Sequence, residues 1–418
     1  MIQVLPSPKP MKPLGSPVEK LAGCTLKNIG KPDGTGPKTS FVGIDILRFL
    51  AAVMVMLVHF TLPLRSVPPE LESYQIQLDY NQYPAMEGMT WFGWVGVQVF
   101  FVISGFVIAF SAKGSSPFSF LRSRVLRLLP AVWLCAPLTA MALLANGTAL
   151  ADVTKILVKG LLFIPTYPYI DPSYWTLGIE IVFYAVIWFT MLAAGLRRVG
   201  LVVGLIGGIS ALLWLLVGAG LWLQPVGWQP WLELFNTRPF QLALVTHGAN
   251  FMTGVLLYVI LLERSSYGLM ALFVLGVVGS LAQIIAETTL KASLLAHAPL
   301  LPALVWGLAL FVMVASIMLN HYVSAGWAAR ARRVGLLTYP LYLVHQIVGY
   351  ILLSVFRQMG LGNIVSLILA IMVVVLLAVM VSEVLEPRLR RIMRHWVDNM
   401  ERGLTHPMLR RLFVMQGS

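Results

Sequence analysis

Apolar residues gather along this chain in ten long blocks, near residues 41–64, 91–110, 127–146, 174–195, 199–223, 240–262, 268–286, 300–321, 334–356 and 362–384. Each is close to the ~20 residues that an α-helix needs to cross the hydrocarbon layer of a bilayer. The pattern predicts an all-α fold, a polytopic membrane helix bundle of about ten transmembrane helices. It divides the chain into a tail over 1–40, a transmembrane domain over 41–384 and a basic tail over 385–418.

Composition strengthens that reading. The chain is 58% hydrophobic and only 11% charged, and a water-soluble domain could not bury so much apolar surface. The formal net charge of +13 invites a nucleic-acid reading, so the placement of the charge decides. With the N-terminus set in the cytosol, segments on that side hold 23 of the 30 Lys and Arg residues, external segments hold 6, and Arg48 lies inside the first span. The asymmetry puts both termini in the cytosol, and no nucleic-acid partner is expected. Residues 1–40 are rich in Pro, Gly and Lys and lack the apolar core of a signal peptide, so they read as a disordered cytosolic tail. Cys24 falls in that tail and Cys135 in the third span, with no disulfide and no metal-ligand spacing expected. Residues 385–396 read as a basic helix lying against anionic membrane lipid.

Chemistry must therefore sit in the bundle, and the polar residues inside apolar blocks mark the candidates. The first span carries Asp45, Arg48 and His59. At about 100° per residue, three and eleven steps bring all three to one narrow face, with His59 about 16 Å beyond Arg48 along the axis. Asp45 and Arg48, one turn apart, can pair. A pair that merely neutralises itself at the boundary, and a histidine that merely packs, remain open at this level. Arg124 and Arg127 are also one turn apart and can clamp phosphates, or can simply anchor the cytosolic end of the third span. Glu180 falls about two turns inside the fourth span, so a cavity-facing role is expected for it. Ser104 and Gly105 are small enough to let helices approach or to admit a thin ligand. His345 falls in the middle of the ninth span, and His247 reads as packing.

Taken in order, these stretches resemble the acyltransferase 3 family of integral membrane O-acyltransferases. The first span matches the family's basic residue, ten intervening residues and histidine as Arg48 and His59, and the second its "FFVISGF" stretch. The third matches R-x-x-R as Arg124 and Arg127, followed by Pro130 and Trp133. The fourth matches through Trp175, Thr176, Leu177, Glu180, Phe183 and Tyr184, and the ninth through Tyr339, Tyr342, Leu343 and His345. Gln98 stands where many members carry an acid, and the chain reads as the stand-alone form without a C-terminal hydrolase-like domain.

The resemblance implies a multi-pass enzyme of the bacterial inner membrane, an O-acetyltransferase. It would move an acyl group, most often acetyl, from cytosolic acyl-CoA to a hydroxyl of an exopolysaccharide or other surface glycan, free or lipid-linked. Acetyl-CoA enters as co-substrate, with no permanently bound cofactor and no metal. His59, Glu180 and Asp45 are then the catalytic candidates; Arg48, Arg124, Arg127 and Ser104 the donor-binding ones; and Trp175, Tyr342 and His345 the acceptor-binding ones. Aromatic residues stack on sugars, so Tyr74, Tyr80, Tyr83 and Trp91 of the external segment favour a glycan. The alternatives are a proton-coupled transporter or exporter, or the same enzyme class acting on a lipid, peptidoglycan or an antibiotic.

Overall fold

A computed structural model describes residues 41–62, 83–295 and 300–404. The expectations for the tail over 1–40, for Tyr74 and Tyr80 and for residues 405–418 lie outside the described residues. Among the described residues every regular element is helical. Helix α1 (Val42–Thr61) is followed by α2 (Gly96–Ala112), which a short helix over Pro84–Thr90 and a 3₁₀ turn over Trp91–Val95 lead into. Then come α3 (Pro117–Ala145), the short amphipathic α4 (Leu150–Leu161), α5 (Trp175–Ala194), α6 (Val199–Leu223) and the short α7 (Pro225–Phe235). The series ends with α8 (Gly248–Leu262), α9 (Tyr267–Leu295), α10 (Leu301–Met318), α11 (Ala325–Gln358), α12 (Asn363–Val379) and α13 (Glu386–Leu404), the last two joined by a π-helical stretch, Met380–Leu385.

Nine helices among the described residues are long and apolar enough to cross a membrane, and the tenth expected span is shorter. Over 240–262 the chain forms a five-residue helix, Arg238–Leu242, then an irregular turn with Leu244 at positive φ, and only then α8. Backbone freed from a helix at membrane depth needs partners from elsewhere. Here α6 supplies them: Ser210 donates to the Val245 carbonyl (2.6 Å), accepts from the Ala249 amide (3.1 Å), and Trp214 donates to the Thr246 carbonyl (2.8 Å).

The bundle wears its apolar residues outside as well as inside. On α6, Leu201, Leu205, Ile209, Leu212 and Leu216 recur at helical spacing and are all exposed, the stripe a lipid-facing helix presents. Inside, helices meet where side chains vanish. A Cβ on Gly105 of α2 would collide with the Phe251 carbonyl of α8, and one on Gly254 of α8 with the Val102 carbonyl of α2. These reciprocal glycines let the two backbones touch. Helices α1 and α11 pack in parallel: Asp45 lies against Gly335, and Phe60 lies against Gly349.

Candidate active site

A small cavity opens between α1, α2, α3, α5 and α11. Its polar lining is Arg48, Ser104, Arg127, Thr176, Glu180 and Thr338, with Tyr339 and Tyr342 beside Phe100 and Phe101. Five of the ten residues singled out from sequence therefore line one space: Arg48, Ser104, Arg127, Glu180 and Tyr342.

Glu180 is the carboxylate of this cavity, and α5 holds it there by helical spacing. Its Oε1 accepts from Ser104 of α2 (3.0 Å) and from Tyr184, one turn further along α5, through a very short hydrogen bond. Ser104 thus ties α2 to α5 at the point where Gly105, its neighbour, lets α2 meet α8. Of the two readings of that small-residue pair, close packing is what Gly105 shows, while Ser104 lines the cavity.

The two arginines of the third span separate. Arg127 faces the cavity. Arg124 is buried, with Nη2 donating to Ser111 (2.8 Å), Nε to Ser123 (3.2 Å), and its guanidinium against the Phe120 and Tyr184 rings. The two arginines expected either to clamp phosphate or to anchor the span are thus held differently: one guanidinium faces the cavity while the other is bonded within the bundle. Asp45, expected to pair with Arg48, also lies 3.6 Å from Arg332 of α11, so it ties the two parallel helices together while its charge still acts on Arg48.

On the other side of Tyr342, outside the cavity lining, lies a pair of histidines. His59 Nδ1 lies 2.8 Å from His345 Nε2, and the rings stack at 5.1 Å. His345 Nδ1 lies 2.9 Å from the Tyr342 carbonyl oxygen. A carbonyl only accepts, so in the neutral ring the His345 proton sits on Nδ1 and Nε2 accepts from His59 Nδ1–H. That leaves His59 Nε2 with a free lone pair. His59 is half-buried and His345 fully buried. The Tyr342 ring bridges the two features, 5.6 Å from His345 and 5.5 Å from Phe100, with its hydroxyl 3.1 Å from Thr176.

Trp175 stands off the cavity. Its carbonyl accepts from Arg238 (2.9 Å) and its ring faces His247 at 5.7 Å. His247 itself joins a buried network that composition alone had not marked. Gln283 donates to Glu287 (2.8 Å) and lies 3.0 Å from His247 Nδ1, Asn250 donates to Gln283 (2.8 Å), and Gln98 donates to Glu287 (3.2 Å). The carboxylate missing at position 98 is thus brought to Gln98 by α9.

Asp171 is the other residue that sequence reasoning passed over. It caps the helix ahead of α5, with Oδ1 accepting from the Ser173 amide (2.9 Å) and hydroxyl (2.6 Å), while Oδ2 accepts from the Ile347 amide of α11 (2.9 Å). Burial pushes its carboxyl up to about 6, against the pull of the hydrogen bonds from Ile347 and Ser173. Asp-Pro-Ser is a legible capping signal, but only the fold reveals that the cap also fixes the turn of α11 that carries His345. Among the described residues no three His, Cys, Asp or Glu side chains gather as metal ligands would.

A family model described as an acyltransferase domain matches residues 41–383. No curated protein matches the chain, and no solved structure does.

Proposed function

Because the chain belongs to the acyltransferase 3 family of membrane acyltransferases, we propose that it transfers an acetyl group from cytosolic acetyl-CoA to a hydroxyl of a surface glycan. The observation that carries the mechanism is the His59–His345 hydrogen bond beyond the far end of a cavity lined by Arg48 and Arg127. Arginine recognises phosphate oxygens through paired donors, so the cationic end of the cavity suits the anionic part of the donor. The donor's thioester arm then runs past Phe100 and Tyr342 towards the histidines.

At that end His59 Nε2 takes the proton of the acceptor hydroxyl. The oxygen attacks the thioester carbonyl, the carbon–sulfur bond breaks, and the departing thiolate takes up the proton. Products are the ester and free CoA, with atoms and charge balanced. His345 is a positioning residue: it holds the tautomer in which His59 presents its lone pair. Glu180 orders the Ser104 and Tyr184 hydroxyls on the cavity wall, and Asp45 anchors α1 to α11. The enzyme belongs in the bacterial inner membrane, with its acceptor side outside.

The test is the base-labile O-acetyl content of surface polysaccharide in cells lacking the gene, complemented with wild type or His59→Ala at equal membrane levels. Acetyl restored by wild type alone supports the reading. Equal restoration by both removes His59 from the mechanism, and restoration by neither points to another acceptor.

A further inference from the structure

Two hydroxyls in the cavity have nothing to bond. Thr338 Oγ1 and the Tyr339 hydroxyl oxygen are buried and have no hydrogen-bond partner among the described residues, and both residues line the cavity with Arg48 and Arg127. The other hydroxyls nearby are engaged: Ser104 and Tyr184 donate to Glu180, and Tyr342 and Thr176 pair with each other. An unpaired hydroxyl in a buried site is costly, and the cost is recovered when a ligand supplies the acceptor.

The position of the two on α11 identifies the acceptor. Gly335 packs against Asp45, and the helices run parallel, so Thr338, three residues on, stands level with Arg48. His345 lies about 10 Å further along α11, and His59 about 16 Å beyond Arg48 on α1. Thr338 and Tyr339 are therefore at the cationic end, away from the proposed site of chemistry. Arg48 and Arg127 share the cavity with Glu180, and two guanidinium groups there suit a polyanionic ligand.

We propose that Thr338 and Tyr339 donate hydrogen bonds to phosphate oxygens of the acyl donor, completing with Arg48 and Arg127 a phosphate clamp built from α1, α3 and α11. This rests on acyl-CoA being the donor. The clamp replaces the pair of adjacent arginines that the third span suggests, and half of it is neutral.

The experiment uses purified full-length protein and the near-isosteric substitutions Thr338→Val and Tyr339→Phe. Two donors are compared: acetyl-CoA, and S-acetyl-N-acetylcysteamine, which carries the same thioester and no phosphate. Each substitution is expected to raise KM for acetyl-CoA about 10-fold, to leave kcat within about twofold, and to leave the phosphate-free donor unaffected, with Thr338→Ser restoring wild-type behaviour. Unchanged KM for acetyl-CoA overturns the clamp. Equal losses with both donors also overturn it, because the hydroxyls would then serve the thioester. If the wild type turns over neither donor, the functional reading fails on its own. The clamp is then judged by CoA-induced thermal stabilisation, which should be clear in wild type and reduced in both variants; equal shifts overturn it.

Discussion

Arg124 and Arg127 look interchangeable in sequence and differ completely in place. Arg127 has the cavity in front of it, whereas Arg124 spends its donors on Ser111 and Ser123 and its face on Phe120 and Tyr184. Arg127→Gln should raise KM for acyl-CoA about 10-fold or more, with the midpoint of thermal unfolding little changed, since losing one charge-assisted contact costs roughly 1.5–3 kcal/mol. Arg124→Gln should do the reverse, lowering stability by a similar amount because a buried donor set and its ring contacts are removed together. A thermal scan and a donor titration on both variants decide it; the same profile for both would sink the distinction. The histidine pair makes a second residue-scale prediction. His345→Ala should cut kcat by roughly 10²-fold, the lower range for a positioned acid–base group, while KM for acyl-CoA stays near wild type. A raised KM with intact kcat would return His345 to substrate binding. At this scale the sequence carried the residue types well: Arg48, Ser104, Arg127, Glu180 and Tyr342 do share one cavity. What it could not carry was direction. A three-residue step says that two arginines diverge by about 60° on the helix, not which of them meets a serine.

The elements were legible because hydropathy is a property of each block, and ten blocks gave nine long helices among the described residues and one broken one. The broken one was hidden because its repair comes from another helix. Nothing in residues 240–262 announces that Ser210 and Trp214 will satisfy the carbonyls of Val245 and Thr246. Asp171 is hidden in the same way, its cap readable and its grip on Ile347 not. Asp171→Ala leaves the Ile347 amide buried without this acceptor, at a cost of about 1–3 kcal/mol, and frees the turn of α11 that holds His345. Reduced thermal stability together with reduced kcat is expected, measured on purified protein; loss of stability with full kcat would show that the turn needs no such brace. The α2–α8 contact is less forgiving. Gly254→Leu puts a side chain where the Val102 carbonyl lies, and the helices must part. Because Ser104, next to Gly105, donates to Glu180, the cavity wall would open as well.

Parity constrains how the described helices can cross a membrane. Contacts between α1 and α11 advance in the same direction along both helices: Asp45 with Gly335, His59 with His345, Phe60 with Gly349. Parallel helices in a bilayer are separated by an even number of crossings, counted from the first to the second. Between α1 and α11 the long helices α2, α3, α5, α6, α9 and α10 cross, so with α11 itself the count is seven. It becomes eight only if the broken segment ending in α8 also crosses. Fifteen residues rise about 22 Å, short of the ~30 Å hydrocarbon layer, and the irregular turn held by α6 covers the remainder. With α12 the crossings would then number ten among the described residues, and Val42 and Val379 would lie on one side. The charge asymmetry expected from the sequence, 23 of the 30 Lys and Arg residues on one side, makes the cytosol the proposed side. Fusing green fluorescent protein, which fluoresces when folded in the cytosol, or alkaline phosphatase, which acts only outside, to the C-terminus tests this directly. Bright fluorescence and an inactive phosphatase are expected, with the opposite result for a phosphatase inserted near Asn146, in the turn between α3 and α4. An active C-terminal phosphatase would mean either nine crossings, with an α8 that does not span, or ten in the inverted sense, with a donor cavity facing the wrong compartment for acyl-CoA.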